Sequence, residues 1–146
     1  MKFSTRANVH APMETTFSAF ADFPRYVRLA EKRGARVETR SASVFAWRAR
    51  FDWNGTARDL EGDVIHFDPP RAFTADMSSG GLEGRIEVAV ISVDDVRSQV
   101  RVAMEWQPRT ISGRILLQSL KLVKGRLDDR FATRVAEFAA GIEHRG

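Results

Sequence analysis

The fold is decided by residues 112–143, which read SGRILLQSLKLVKGRLDDRFATRVAEFAAGIE. The apolar residues of this stretch follow one another at steps of three or four, so they lie on one stripe of a helix. That stripe consists of Leu116, Leu120, Val123, Leu127, Phe131, Val135, Phe138 and Ile142. The spacing predicts one long amphipathic helix, from Ser112 to about Glu143, which covers the face of a sheet.

Three residues within this helix do not fit a plain apolar stripe. Gly125 lies near the middle, where glycine costs about 1 kcal/mol relative to alanine, and it predicts a bend or a close approach to the sheet. Lys124 and Arg134 fall at the edges of the stripe. Two interpretations of these cations remain open: long side chains that reach solvent at the rim of a cavity, or a contact with an anionic ligand at its mouth.

The chain before this helix alternates short strands with turn residues. Residues 2–11 alternate in polarity, which is typical of a half-buried strand. A short helix is predicted from Pro12 to about Ala21, and a second follows Pro24 and ends before Gly34. Further strands are predicted at 35–41, 44–53, 56–66, 71–78, 82–93 and 98–107. The turn signals between them are Asn54-Gly55, Pro69-Pro70, Gly80-Gly81 and Asp94-Asp95.

The Asn54-Gly55 pair predicts the register of its hairpin, because a two-residue loop decides which residues face each other. The opposed pairs are Trp53 with Thr56, Phe51 with Arg58, Arg50 with Asp59, Ala49 with Leu60, Arg48 with Glu61 and Trp47 with Gly62. Two of these pairs carry opposite charges and share the outer face, which supports the register. The same alternation turns Asp59, Glu61 and Asp63 outward, so they are not a catalytic carboxylate pair.

The inner face of the predicted sheet is apolar and rich in aromatic residues. It comprises Phe45, Trp47, Phe51, Trp53, Leu60, Val64, Phe73, Ala75, Met77, Leu82, Ile86, Val88, Val90, Val100, Val102, Met104 and Trp106. Arg58 and His66 interrupt it. Arg58 either stacks on a neighbouring aromatic ring and reaches solvent or anchors a polar group of a ligand. His66 either lies at a frayed strand end or exchanges a proton at a cavity.

Composition excludes several functional classes. A chain of 146 residues with 43% hydrophobic residues suits one domain spanning 1–146. There is no cysteine, and no apolar run approaches the length of about 18 residues that spans a bilayer. Residues 1–11 contain no uninterrupted apolar stretch like that of a secretory signal peptide, so we expect a cytoplasmic location. The net charge of +4 is spread along the chain, so no nucleic-acid partner is predicted.

The sequence predicts neither a metal nor a cofactor. The three histidines, His10, His66 and His144, are scattered and match no metal-ligand or triad spacing. Gly80, Gly81 and Gly84 fall within a hairpin rather than between a strand and a helix, so they do not form a nucleotide loop.

The order of elements resembles the helix-grip fold of the START-like, or SRPBCC, superfamily. The resemblance is carried by residues 8–17, which read NVHAPMETTF, by 20–26, which read FADFPRY, and by 67–73, which read FDPPRAF. It implies an α+β fold with a curved seven-stranded antiparallel sheet, two short helices and a long C-terminal helix. Among members, the chain is most similar to bacterial proteins labelled polyketide cyclase or dehydrase, a label that does not establish an activity.

The resemblance also implies a cavity between the sheet and the last helix. Its expected sheet wall is Trp47, Phe51, Trp53, Phe73, Met77, Met104 and Trp106, with Arg58 and His66 as polar contacts. Its expected helix side is Leu116, Leu120, Val123, Leu127 and Phe131. Solid packing of the same residues is the alternative, although tryptophan and methionine side chains suit flat apolar ligands.

Two functional hypotheses remain open. The first is a protein that binds a small hydrophobic or aromatic molecule and, if it is an enzyme at all, is a cyclase- or dehydrase-type lyase that acts by positioning its substrate. The second is a non-catalytic interaction module, such as a co-chaperone or toxin-like subunit, with a filled core. In either case we expect a monomer or a weak homodimer.

Overall fold

The chain forms an antiparallel sheet packed against helices in a computed structural model that describes residues 1–40, 44–53 and 55–143. Over those residues the strands are β1 (Lys2–Val9), β2 (Arg36–Arg40), β3 (Ala46–Trp53), β4 (Thr56–Asp68), β5 (Ala72–Ser79), β6 (Leu82–Asp94) and β7 (Arg97–Pro108). The helices are α1 (Met13–Phe20), α2 (Phe23–Lys32), α3 (Ile111–Lys121) and α4 (Lys124–Glu143). Predicted features at Ser41, Asn54 and His144 lie outside the described residues.

The sheet has the strand order β1-β7-β6-β5-β4-β3-β2, and every neighbouring pair is antiparallel. This confirms the predicted seven-stranded α+β architecture. Predicted and observed strand ends agree to within about two residues, the usual scatter of such boundaries. One turn lies a residue later than predicted: Asp94 still pairs with Arg97, so the β6–β7 turn is formed by Asp95 and Val96.

The predicted register of the β3–β4 hairpin is confirmed from Trp53 opposite Thr56 back to Trp47 opposite Gly62. Both expected ion pairs form on the outer face. The side chains of Arg48 and Glu61 approach to 3.0 Å, and those of Arg50 and Asp59 to 3.5 Å. Each pair is about half exposed, so its contribution to stability is small. The two ion pairs identify the face of the sheet that points away from the helices.

A bulge in β4 reverses the side-chain alternation near the end of that strand. Val64 pairs with Ala75 but His66 pairs with Thr74, so Ile65 is an extra residue opposite a single step of β5. One additional residue exchanges the two faces for everything that follows it. Phe67 therefore comes to the inner face, where its ring lies 5.7 Å from that of Phe17, and the prediction that His66 points inward is wrong.

The predicted long helix is two helices with a break at Leu122 and Val123. The N–H of each of these residues donates to a carbonyl three positions earlier, on Ser119 and Leu120, rather than four. This tighter turn ends α3 before α4 begins at Lys124. The expected bend is therefore present, but it precedes Gly125. A Cβ at Gly125 would meet nothing within 4 Å, so the alternative of a close approach at this glycine is wrong.

The close approach lies instead at Gly113, in the first turn of α3. A Cβ there would overlap the carbonyl oxygen of Gly81 in the β5–β6 turn. Gly81 has a φ of 81°, a conformation that glycine adopts without strain, and its carbonyl accepts a hydrogen bond of 2.7 Å from the Arg109 N–H. Thr110 caps the helix by accepting from the Gly113 N–H at 3.0 Å. Two glycines thus let α3 lie directly on the end of the sheet.

Helix α4 runs alongside β1 in the same direction. The Phe131 ring lies 5.9 Å from that of Phe3 near the start of both elements. At the far end, Glu143 accepts a hydrogen bond of 3.0 Å from the His10 N–H, and Ile142 is 1% exposed. Because β1 is an edge strand, α4 covers the β1 side of the inner face. It does not cover the side nearer β2.

We expect opposite effects on stability from alanine at the two helical glycines. Gly113→Ala should destabilise the protein by about 1–3 kcal/mol, because its Cβ collides with the Gly81 backbone. Gly125→Ala should stabilise it by up to about 1 kcal/mol, because helix propensity improves in open space. Urea unfolding followed by circular dichroism measures both; equal effects of the two substitutions would contradict the assigned packing of α3.

Candidate functional site

A cavity of about 470 Å³ lies between the inner face of strands β2–β7, helix α2 and the middle of α4. It extends from beneath α4 to the β2 side of the sheet, which α4 leaves uncovered. Its sheet wall is apolar and includes Val37, Phe45, Trp47, Ala49, Leu60, Val64, Phe73, Ala75, Met77, Ile86, Val88 and Val102. The volume lies within the range of small-molecule sites, about 300–1,000 Å³.

One end of this wall is set by a row of residues that runs across five strands. Trp47, Gly62, Met77, Gly84 and Trp106 pair in succession from β3 to β7. A Cβ at Gly62 would overlap the six-membered ring of Trp47, and one at Gly84 would lie 2.7 Å from the Trp106 ring. Each indole thus covers a glycine on the next strand, and this lets it lie against the sheet.

A group of phenylalanines forms the wall where α1 and α2 meet the sheet. The Phe23 ring stacks on Phe45 at 5.3 Å and meets the edge of Phe73 at 5.1 Å. The Phe20 and Phe138 rings lie 4.7 Å apart and join α1 to α4. These offset and edge-to-face contacts are the preferred geometries of aromatic pairs. They hold the helices against the sheet without filling the space between Phe73, Trp47 and α4.

The opposite wall consists of α2 and α4. Helix α2 is positioned at its start by Asp22, whose carboxylate accepts from the Arg25 N–H at 3.3 Å, and by Pro24 in the first turn. It contributes Tyr26, Val27 and Ala30 to the cavity, and α4 contributes Phe131, Arg134, Val135 and Phe138.

The cavity is almost free of polar chemistry. Among the described residues that line it, the only side chains with polar atoms are the Tyr26 phenol, the Trp47 indole and the Arg134 guanidinium. Within the same part of the chain there is no cluster of histidine and carboxylate residues that could hold a metal ion. None of the described lining side chains has the carboxylate, imidazole or amine that general acid–base catalysis normally uses.

Tyr26 places its phenol between solvent and the cavity. Its hydroxyl donates a hydrogen bond of 2.7 Å to the Phe20 carbonyl, and its ring lies 5.9 Å from that of Phe138. Burial raises the pKa of Tyr26 well above its ordinary value; Arg25 opposes this rise and Asp22 adds to it. The phenol is therefore neutral at physiological pH, and its oxygen lone pair can accept a hydrogen bond.

Arg134 is the only charged side chain among the described lining residues. It is exposed and has no ion-pair partner in the described part of the chain. Lys124, the other cation at the edge of the predicted stripe, pairs with Asp128 at 2.9 Å and lies over the Phe3 ring. The two stripe-edge cations thus differ, since Arg134 alone lies at the cavity.

Four of the residues predicted for the ligand site line the cavity, namely Trp47, Phe73, Met77 and Phe131. The others do not. On the sheet they are Phe51, Trp53, Arg58, His66, Met104 and Trp106, and on the last helix they are Leu116, Leu120, Val123 and Leu127. The helical set is displaced because the chain breaks at 122–123: α3 packs on β6 and β7, and the start of α4 follows β1.

Two structural features explain why four of these six sheet residues lie outside the cavity. Phe51, Trp53 and Arg58 belong to the end of the β3–β4 hairpin, beyond the last residues of β5. Arg58 lies over the Trp53 ring at 5.5 Å, as the stacking interpretation predicts, although its Nε is buried without a hydrogen-bond partner in the described structure. His66 is exposed on the outer face because of the bulge.

Sequence reasoning missed the contribution of α2. The signal is present as Phe23, Val27 and Ala30, which are spaced by four and three residues and share one helical face. It is weak because Leu29 interrupts the pattern and is 43% exposed. It could have been found by asking what covers the half of the sheet away from the C-terminal helix.

A second, more open depression of about 730 Å³ lies on the outer face of the sheet. Six of the nine charged side chains that line it in the described structure pair with one another: Arg48 with Glu61, Arg85 with Asp76 and Arg109 with Glu83. These pairs neutralise most of the charge of the depression. The apolar cavity, which is covered by two helices, is the better candidate for a ligand.

Comparison with known proteins agrees with this fold. No protein-family model and no curated protein matches the sequence. Among solved structures, the chain is similar to the ZhuI aromatase/cyclase from Streptomyces sp. R1128, with a TM-score of 0.69 and 15% identity over 99% of this chain and 94% of that one. It is also similar to a START superfamily protein from Mycobacterium smegmatis, with a TM-score of 0.57 and 13% identity over 92% and 99%.

A third similar structure is norcoclaurine synthase from Thalictrum flavum in complex with dopamine and hydroxybenzaldehyde. The TM-score is 0.61 and the identity 10%, over 90% of this chain and 83% of that one. Identities this low establish the fold and not the activity. The predicted resemblance to START-like and polyketide cyclase-like proteins is confirmed as a helix-grip fold. None of the described helices has the length and apolar character needed to cross a membrane.

We expect Tyr26, the only tyrosine of the chain, to titrate at higher pH in the folded protein than in the unfolded one. Its raised pKa contributes stability that is complete below the unfolded value of about 10 and is lost as the pH rises from there through the folded pKa. Tyrosinate absorbance in buffer and in urea measures both midpoints, with Tyr26→Phe as the blank. A native midpoint near 10 would show that the phenol is not buried.

Proposed function

We propose that the protein binds a flat, apolar small molecule that carries one acidic group. The observation that carries this proposal is the composition of the cavity: about 470 Å³ lined by aliphatic and aromatic side chains, with Arg134 as the one cation among the described lining residues. An apolar ring system would gain from leaving water, and an acidic substituent would pair with the guanidinium at the mouth.

The shape of the walls favours planar ligands. Trp47 lies against Gly62 and Phe73 is held by Phe23, so both present ring surfaces on which another ring can stack. The adjacent Met77 side chain is unbranched and adapts to irregular outlines. The norcoclaurine synthase of similar fold is in complex with two small aromatic molecules, which agrees with a ligand of this class here.

If the protein catalyses a reaction, the rate would depend on the conformation in which the cavity holds the ligand. The lining residues of the described chain offer no general base, so a cyclase-type reaction would be accelerated by holding a reactive chain in a bent conformation. Tyr26 could accept one hydrogen bond from the ligand, as its own proton is already donated to Phe20. The filled-core interaction module is the weaker hypothesis, because the core is open at its centre.

Two dyes with the same ring system test the acidic group. Anilinonaphthalene sulfonate carries an anion that phenylnaphthylamine lacks, and both fluoresce in apolar surroundings. Arg134→Gln should weaken binding of the sulfonate by about two- to fivefold, the value of an exposed ion pair, and leave the neutral dye unchanged. Arg130→Gln on the same helix, which does not line the cavity, is the control. Equal losses for both dyes would contradict the role given to Arg134.

A second variant tests the cavity itself. Ala30 lines it from α2, so Ala30→Phe should fill part of the space and lower the affinity for both dyes by about tenfold or more. Ala136→Phe, at an exposed position of α4, adds the same side chain outside the cavity and should change neither affinity. Undiminished binding to Ala30→Phe would show that the dyes bind elsewhere.

A further inference from the structure

Helix α3 presents an apolar stripe to solvent, on the side opposite its contact with the sheet. Ile111 and Ile115 of α3 are 82% and 60% exposed, and Leu122, which directly follows its last residue, is 87% exposed. Because the backbone of Leu122 is still helical, the three can be projected at 100° per residue, and they fall within about 40° of one another. Gly113 and Leu117, the buried residues of this helix, lie on the other side. A helix packed on a sheet normally turns polar residues outward, whereas this apolar stripe has no partner in the part of the chain that the structure describes.

The same segment carries only positive charge. Between Glu105 and Asp128 the sequence contains five lysine and arginine residues and no aspartate or glutamate. Arg109 pairs with Glu83 and Lys124 with Asp128. Arg114, Lys121 and Arg126 have no ion-pair partner among the described residues. Arg114 and Lys121 lie along one edge of the stripe, seven residues and about two turns apart.

We propose that this basic apolar stripe of α3 binds the surface of a membrane that contains anionic lipid. Aliphatic side chains at the centre of a helix face, with cations along its edge, are the arrangement that inserts into the boundary between headgroups and acyl chains. The cations are attracted to the negative surface potential of such a membrane. Binding is peripheral, with the axis of α3 in the plane of the membrane and the sheet held above it.

Charge decides between a membrane and a second copy of the chain. A twofold dimer through this stripe would bring Arg114 and Lys121 of both copies to one interface, where like charges repel. Nucleic acid would accept the cations, but the exposed isoleucine and leucine side chains would gain nothing from phosphate. An anionic bilayer satisfies both features, because it offers negative headgroups and apolar acyl chains at the same surface.

An exposed tryptophan at the same end of the sheet as α3 supports this orientation. The register across the sheet places the tip of the β3–β4 hairpin at the same end as the β5–β6 turn and the start of α3. That tip carries Trp53, which is 47% exposed, and tryptophan is favoured at membrane–water boundaries. At the opposite end of the sheet, exposed Val93 and Val96 lie beside Asp95 and the Asp94–Arg97 ion pair. Such a membrane repels the carboxylate of Asp95.

Sedimentation of the full chain with vesicles tests the proposal. Vesicles of phosphatidylcholine and phosphatidylglycerol in equal parts should bind the protein, and vesicles of phosphatidylcholine alone should bind it far more weakly. The double variant I111S/L122S should reduce the affinity by about tenfold or more, since each buried aliphatic side chain contributes about that factor. Arg114→Gln with Lys121→Gln should reduce it as well and flatten its dependence on salt.

The matched control is the double variant V93S/V96S, which removes two exposed aliphatic side chains at the acidic end and should leave vesicle binding unchanged. All four apolar positions are exposed, so urea unfolding should be nearly the same for each variant. No binding to the anionic vesicles, or equal losses in the two double variants, would overturn the proposal. So would sedimentation velocity showing a dimer that only I111S/L122S dissociates.

Discussion

The cavity depends on the absence of a side chain at Gly62. Because no Cβ stands there, the Trp47 indole can lie against the neighbouring strand, and the space above it stays open. Gly84 has the same relation to Trp106 on the other side of Met77. Large aromatic residues usually fill a core. Here two of them are laid against the sheet, so an inner face rich in large side chains still leaves room beneath the helices.

The bulge at Ile65 and the break at Leu122 determine which residues surround the cavity. The bulge turns Phe67 inward toward Phe17 and Phe23, and this completes the aromatic wall near α1 and α2. The break lets α3 lie on the end of the sheet at Gly81 while α4 follows β1. As a result only the middle of α4, from Phe131 to Phe138, reaches the cavity, and Arg134 rather than Lys124 lies at its mouth.

The sheet could be predicted from the sequence in detail, because Asn54-Gly55 and period-two alternation are local signals. Trp53 opposite Thr56 follows from them directly. His66 was misplaced although the sequence marks the bulge: the apolar residues move from even positions at Val64 to odd ones at Ile65 and Phe67. The same residues also suit a frayed strand end, and only the pairing of β4 with β5 decides between the two. The division of the last helix was missed because Leu120, Val123 and Leu127 keep helical spacing across the break. The part played by α2 depends on tertiary packing that Phe23 and Val27 show only weakly.

The central claim is that an empty apolar space lies between Trp47, Phe73 and the middle of α4. Xenon occupies dry apolar cavities of this kind, so diffraction from crystals pressurised with xenon measures it directly. The account predicts xenon density in contact with Trp47, Phe73 and Phe138 with little movement of the surrounding chain. Crystals in which these side chains have closed together and xenon binds only elsewhere would contradict it.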